Sequence, residues 1–203
     1  MALSPSFAGV ILAAGASSRM GRDKALLPWQ GGTFLSAAIQ ALQRETELVI
    51  VVAGKNASTL EPVIYSNAAF LVENPHPELG QMSSLQRGLE EVLNRGRDAA
   101  VITLVDRPAP RAETVGQIKS AFLAAGDDIW ASIPEYAGRH GHPIIAGREM
   151  IEAFVRAPAT STARDVEHSR QQHILYVPVD DPLVTVNVNT EEDYEKLRQG
   201  ITV

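Results

Sequence analysis

Three features of the sequence predict a single α/β domain of Rossmann-like type, with a mostly parallel twisted sheet and helices on both faces. Short runs rich in Val, Ile, Leu and Ala recur at Gly9–Ala13, Leu48–Ala53, Ala99–Val105 and Ile129–Pro134. Each is too short for a buried helix and is bounded by turn or charged residues, the pattern of a strand buried on both faces. Helical patterns lie between them, at Thr33–Gln43, Ser58–Tyr65, Ser83–Asn94 and Arg111–Ala125. Continuous apolar strands alternating with helices imply right-handed βαβ crossovers and a sheet covered on both sides.

The elements follow in order along the chain. In Arg111–Ala125, Val115, Ile118, Phe122 and Leu123 repeat at helical spacing, with Pro110 as starter and Gly126 as stopper. After Pro134 the regularity degrades. Glu135–Pro143 reads as a loop, followed by the short Ile144-Ile145 run and a helix near Arg148–Arg156. Strands are expected at His173–Val179 and Val184–Val188, as edge strands and a wall of the substrate site. Thr190-Glu-Glu-Asp193 has capping-box spacing before a last helix to Arg198. No repeat, low-complexity tract or linker interrupts the 203 residues, so one domain is expected over 1–203.

Composition excludes several function classes. Hydrophobic residues at 45% and charged residues at 21% supply a packed core and exclude global disorder. The net charge of −6 has the wrong sign for holding nucleic acid by phosphate neutralisation. With no Cys, disulfides, thiolate metal sites and a thiol nucleophile are out by inventory. The apolar runs are far shorter than the ~20 residues of a membrane span, and the first residues lack a basic segment followed by a long apolar stretch. A cytoplasmic protein is the expectation.

The segment most informative about chemistry is Val10-Ile-Leu-Ala-Ala-Gly15-Ala-Ser-Ser-Arg-Met-Gly21-Arg-Asp-Lys24. A buried strand runs into a loop with two glycines, two hydroxyls, two arginines and a lysine, so backbone N–H groups and cationic side chains can face a phosphate together. Gly15 and Gly21 are separated by five intervening residues and Lys24 does not directly follow the second glycine, which departs from the Walker pattern, and the dinucleotide fingerprint is missing as well. Taken alone, the loop is equally a strand-to-helix turn whose glycines serve backbone geometry.

This segment resembles the N-terminal signature of the nucleotidyltransferases that include the molybdenum cofactor guanylyl- and cytidylyltransferases, roughly L-[AG]-[AG]-G-x-[SG]-x-R-[ML]-G-x-x-K. Leu12, Ala13, Ala14, Gly15, Ser17, Arg19, Met20, Gly21 and Lys24 meet every fixed position. Further segments agree in order: Asn74-Pro75, Gly80-Gln-Met-Ser-Ser-Leu85, Val105-Asp106-Arg-Pro108, Gly141-His142-Pro143 and Asn187-Val-Asn189-Thr-Glu-Glu-Asp-Tyr194.

The resemblance implies a fold that binds a nucleoside triphosphate with Mg²⁺ and joins the nucleotide to a phosphorylated acceptor, releasing pyrophosphate. Such transfer needs positioning and charge neutralisation more than a covalent nucleophile. Leu12, Ala13, Ala14 and Gly15 would line the nucleotide, with Arg19 and Lys24 neutralising the triphosphate. Asp106 closes the apolar run Ala99–Val105, at the carboxyl edge of a strand where ligands bind in open α/β sheets. The resemblance makes it the principal Mg²⁺ ligand, whereas a lone Asp there also serves as a turn cap before Pro108. Asn187 would supply the second metal contact in preference to Asn189, an amide oxygen being an acceptable hard ligand. Thr190 reads as a helix cap. Arg107 stands where Gln is often found in the family.

Ser83 and Ser84 fall at a helix start, where hydroxyls and free N–H groups hold a ribose or base, or where one serine simply caps the helix. His142 is expected as a substrate contact on the acceptor side rather than as a base, because the nucleophile is already a phosphate anion. The Ala14 side chain narrows the space for a base, which favours CTP; the resemblance associates Gly-His-Pro with the cytidylyl branch as well, and Asn187 with the guanylyl branch. The resemblance implies a pterin of molybdopterin type as acceptor and a molybdoenzyme apoprotein as recipient, with the oligomeric state left open. The competing expectations are the same chemistry on a sugar-phosphate-type acceptor, and a non-catalytic nucleotide-binding protein of cofactor maturation.

Overall fold

A computed structural model describes residues 4–15, 20–158 and 160–200. The strands are β1 (Phe7–Leu12), β2 (Pro28–Trp29), β3 (Gly32–Thr33), β4 (Leu48–Ala53), β5 (Phe70–Glu73), β6 (Ala99–Leu104), β7 (Ala131–Tyr136), β8 (Arg139–His140), β9 (Ile144–Gly147) and β10 (Ile174–Pro178). The helices are α1 (Phe34–Gln43), α2 (Ala57–Ser66), α3 (Gln81–Asn94), α4 (Ala112–Ala124), α5 (Arg148–Arg156), α6 (Ala163–Ser169) and α7 (Glu191–Arg198). Among the described residues, no helix is long and apolar enough to cross a membrane.

The main sheet has the order β10-β7-β9-β6-β1-β4-β5, with β8 added to β7 and β2-β3 forming a separate ribbon. Neighbours β5-β4, β4-β1, β1-β6 and β7-β10 are parallel, and β9 runs antiparallel to both β6 and β7. The expected mostly parallel α/β architecture is therefore present, with one inverted strand near its middle. That inversion follows from sequence: the short Glu135–Pro143 connection allows only a hairpin-like return, whereas parallel neighbours need a helical crossover.

Alternation along each strand divides the core into two layers. Phe7 and Ile11 of β1 join Val49 and Val51 under α1, α2 and α4, through Leu42, Leu60 and Ile118. Val10 and Leu12 join Val52 and Ile102 under α3 and α5, through Leu89 and Phe154. Gly88 is what lets α3 lie so close: a Cβ there would come within 2.8 Å of Val10 and 2.9 Å of Val52. A third cluster, Leu27, Phe34, Val186, Val188, Tyr194 and Leu197, fastens α7 to the ribbon region.

The order of strand addition reverses at β1, since β4 and β5 lie on one side and β6 on the other. In such sheets the crevice beyond the carboxyl ends at the reversal receives ligands. Leu12 pairs with Leu104 in the last register position, and the Val105 amide donates to Leu12 O at 3.0 Å, so the two loops leave the sheet side by side.

Several boundaries differ from the sequence reading. Pro110 lies before the N-cap Arg111 and not in the first turn of α4. Val184–Val188 is not a strand: Pro182–Thr185 forms a 3-10 turn whose Asp181 side chain caps it, and the following residues run without a ladder. An Asp-Pro pair favours a turn over a strand start, and the apolar side chains are buried by packing instead. The Glu135–Pro143 loop contains the short strand β8, and β5, α6 and the β2-β3 ribbon escape periodicity because each is short.

Candidate active site

The first loop is held from behind by a residue the sequence reading did not single out. Asn56 Nδ2 donates to Ala13 O at 3.0 Å and to Asp23 Oδ2 at 2.7 Å, and its Oδ1 accepts from the Gly54 amide at 3.1 Å. These bonds staple the end of β4 to both ends of the Ala13–Asp23 segment. Asp23 then caps a 3-10 turn, Lys24–Leu26, its side chain accepting from the Ala25 amide. Leu12 and Ala13 are buried, Ala14 is half-buried and Gly15 is exposed, with no heavy atom within 4 Å of where its Cβ would stand. Among the described residues, none outside its chain neighbours stands where a Gly15 side chain would project. Arg19 and Ser17 lie outside the described residues.

Lys24 points across the crevice. Its Nζ donates to Asn189 Oδ1 at 3.2 Å and lies 3.6 Å from Asp106 Oδ2. The Val188 amide donates to Asp106 O at 2.9 Å, which brings the Asn187–Asn189 segment beside the end of β6. That segment is held by α7: Asp193 Oδ2 accepts from the amides of Asn189 and Thr190, each at 2.9 Å, and Thr190 Oγ1 accepts from the Asp193 amide. The predicted capping box is present, and Thr190 is the cap. Tyr194 Oη donates to Pro28 O at 2.7 Å, locking α7 onto the chain just after Lys24. Lys24, Asp106 and Asn189 thus converge from residues far apart in sequence, with Asn187 beside them.

Among the described residues, two buried oxygens here have no hydrogen-bond partner, Asp106 Oδ1 and Asn187 Oδ1. Buried acceptors without donors cost free energy unless something electropositive completes them. A carboxylate and an amide oxygen form a hard donor pair of the kind a divalent cation takes, with phosphate oxygens and water filling the rest of its shell. Among the described residues, no group of three or more His, Asp or Glu side chains is placed to hold a metal ion.

Beside the crevice a cleft of about 740 Å³ opens on the α3/α5 face of the sheet. Its floor includes Leu12 of β1, Leu104 of β6, Ile144 of β9, Ile133 of β7 and Tyr176 of β10. Those strands are consecutive neighbours, so the floor crosses four inter-strand steps, roughly 19 Å at ~4.8 Å each. Arg107 enters from the Asp106 side. Its Nε is buried without a partner, and Nη1 makes only long contacts to Val184 O and Val186 O, at 3.5 and 3.4 Å. Burial lowers its pKa, partly offset by the Asp106 charge.

The Gly-His-Pro segment has a clear steric reason. A Cβ on Gly141 would fall 2.2 Å from Val184 O, and the next amide, of His142, donates to that same oxygen at 2.9 Å. Only glycine lets the two segments touch. The His142–Pro143 bond is cis. Burial, and next the charge of Arg107, push the His142 imidazole down to about 3, so it is neutral at physiological pH; its Nδ1 is buried and unpartnered.

Ser83 and Ser84 do not cap α3. The N-cap is Gly80, with φ +97°, and the two hydroxyls accept from Asn74 Nδ2 at 2.8 and 2.9 Å. Ser83 Oγ donates to Gly80 O at 2.8 Å. The Asn74-Pro75 and Gly80–Leu85 segments are therefore one structural unit in which the buried Asn74 fixes the start of α3. Gly80 and Met82 from this unit line the cleft.

A crevice at the strand-order reversal, with a lysine, a carboxylate and carboxamides meeting at its rim and a long cleft beside it, has the form of a ligand-binding site of an α/β enzyme. Residues 9–173 match the MobA-like NTP transferase domain. The chain belongs to that family and is a nucleotidyltransferase. It is 32% identical over 201 residues to a molybdenum cofactor guanylyltransferase of Xanthomonas euvesicatoria, covering 97% of each chain. It is 23% identical over 194 residues to the molybdenum cofactor cytidylyltransferase of Escherichia coli, covering 95% of this chain and 96% of that one. Among solved structures, Rv0371c of Mycobacterium tuberculosis superposes with a TM-score of 0.81 at 26% identity, over 97% of this chain and 99% of that one.

Proposed function

We propose that this protein transfers a nucleoside monophosphate, CMP by preference, from a nucleoside triphosphate to the terminal phosphate of a molybdopterin-type acceptor. The observation that carries the reading is the meeting of Lys24, Asp106 and Asn189 beside two buried oxygens, Asp106 Oδ1 and Asn187 Oδ1, that lack donors. An acceptor phosphate oxygen forms a bond to the α-phosphorus, the bond from that phosphorus to the bridging oxygen breaks, and pyrophosphate leaves. Asp106 and Asn187 would hold Mg²⁺, which would supply neutralisation of charge on the phosphate oxygens. Rv0371c has been crystallised in complex with manganese, a cation of the same ligand preference.

The remaining work belongs to side chains and backbone. Lys24 and Arg19 neutralise the triphosphate, and the Gly15 backbone approaches it closely. Leu12, Ala13 and Ala14 bound the nucleoside, and Ser83 and Ser84 act there through the position of the α3 start. His142 contacts the acceptor as a neutral ring and takes no proton. The product is handed to a molybdoenzyme apoprotein, and the reaction belongs to the cytoplasm.

The Ala14 side chain supports CTP by narrowing the base space. GTP is the second reading, favoured by the 32% identity to a guanylyltransferase. Thermal shifts with CTP, GTP, ATP and UTP, each with and without Mg²⁺, separate them, since a ligand of the native state raises stability by mass action. A Mg²⁺-dependent shift largest with CTP is expected. A larger shift with GTP reverses the base preference, and no shift with any nucleotide contradicts the reading.

A further inference from the structure

One carboxyl group in the cleft has no structural task. Glu167, in the second turn of α6, lines the cleft wall together with Arg164, Thr162 and Tyr176. It is half-buried, and its carboxylate makes no hydrogen bond or ion pair with any described residue. The next residue back, Val166, is buried in the core layer of α3 and α5, which fixes the helix against the sheet. Opposite in chemistry, the cleft floor is apolar, and the stacked His140 and Tyr176 rings, 3.9 Å apart and within 10° of parallel, give it a rigid flat segment. Burial raises the Glu167 pKa to about 7, against the nearby Arg164 charge. Keeping an unpaired acid in an apolar cleft lowers stability, a cost retained where function uses the group.

We propose that Glu167 reads the amino-oxo-pyrimidine edge of a flat fused heterocycle bound in the cleft, its two carboxylate oxygens accepting from an adjacent ring N–H and exocyclic NH₂. The inference rests on the nucleotidyltransferase reading of the site and adds the group that selects a substrate ring. A carboxylate has only acceptors, and two side-by-side donors match it in a planar bidentate pair. The roughly 19 Å floor accommodates such a ring with a phosphorylated side chain reaching towards Arg107. Two substrates carry this edge, the pterin of the acceptor and the guanine of GTP, and the cleft position beside Arg107 and Tyr176, away from Gly15, favours the pterin.

The test is direct binding to wild-type protein and Glu167→Gln, using pterin, lumazine (which replaces the NH₂ by an oxygen), guanosine and cytidine, followed by ring fluorescence or saturation-transfer NMR. Wild type is expected to bind pterin about 10–100-fold more tightly than lumazine, the worth of charge-assisted hydrogen bonds, and the variant to lose that preference while binding cytidine normally. If the loss falls on guanosine and pterin is unaffected, the edge being read is the nucleotide's. Equal binding of pterin and lumazine, or of both proteins to every ring, or no binding of pterin and guanosine by wild type, overturns the proposal. Pyrophosphate release by the same samples separates the two readings: release that persists with an unselective Glu167 retains the transferase and removes only this role.

Discussion

Replacing Gly141 by alanine puts the greatest load on the least visible contact of the site. The added Cβ would stand 2.2 Å from Val184 O and 2.6 Å from Val184 C, both backbone atoms that no rotamer change can move. Restoring an ordinary separation moves the segments apart by about 1 Å, which stretches the 2.9 Å bond from the His142 amide to Val184 O beyond hydrogen-bonding range. Overpacking of this kind costs about 1–3 kcal/mol, and the lost bond about 0.5–1.5 kcal/mol. The sum is about 1.5–4.5 kcal/mol, or a Tm lower by about 3–18 °C for a chain of this size. The displacement also carries Arg107, whose guanidinium rests against Val184 O and Val186 O, and Asn187 one residue further on. Urea unfolding at constant m-value reports the stability, and pyrophosphate release reports the site. A Gly141→Ala protein within 0.5 kcal/mol of wild type and fully active would refute the steric argument.

Three further outcomes are expected. Gly15→Ala adds its methyl where no described residue beyond its chain neighbours lies within 4 Å, so its stability stays within about 0.5 kcal/mol of wild type while its nucleotide-dependent thermal shift falls; an unchanged shift rules out close backbone approach. Asn56→Ala cuts the staple to Ala13 and Asp23 and destabilises by about 1–3 kcal/mol, with KM for the nucleotide raised more than kcat is lowered, as steady-state kinetics will show. For Glu167, the folded-state pKa of about 7 stands above the ordinary 4.5, so its neutral form is the one folding tolerates. Stability is unaffected below pH 4.5 and declines as pH rises to 7. Glu167→Gln, with Arg164 still beside it, is therefore more stable than wild type at pH 8 by about 1–3 kcal/mol and equal to it at pH 4, measured by denaturant melts at both pH values.

The parts of the fold legible in the sequence are those with strong local signals. The four buried strands and the helices between them follow from apolar runs of the right length, and α7 from the Thr190–Asp193 box. Elements set by tertiary contact were not legible: Val186 and Val188 are buried with Leu27 and Phe34, and Val184 in the main core layer, without pairing in a sheet. Within the site, Asp106 and Lys24 stand out by type and position. Asn56 and Asn74 act through hydrogen bonds to backbone and hydroxyls, with no periodicity to expose them. The asparagine directly after Gly54-Lys55, at a strand end, was the available signal for the first. Glu167 has none in sequence, because its lack of a partner is a property of the folded surroundings alone.

On the function proposed above, Asp106 and its neighbours support transfer of a nucleotidyl group to a phosphorylated pterin. The measurement that tests it most directly is pyrophosphate release with CTP or GTP, with and without molybdopterin and Mg²⁺, for wild type and Asp106→Asn. Release by wild type only when acceptor and Mg²⁺ are both present, lowered at least about 100-fold in a variant that still folds, is the predicted result. No acceptor-dependent release from a protein that binds nucleotide, or equal release by the variant, would contradict it.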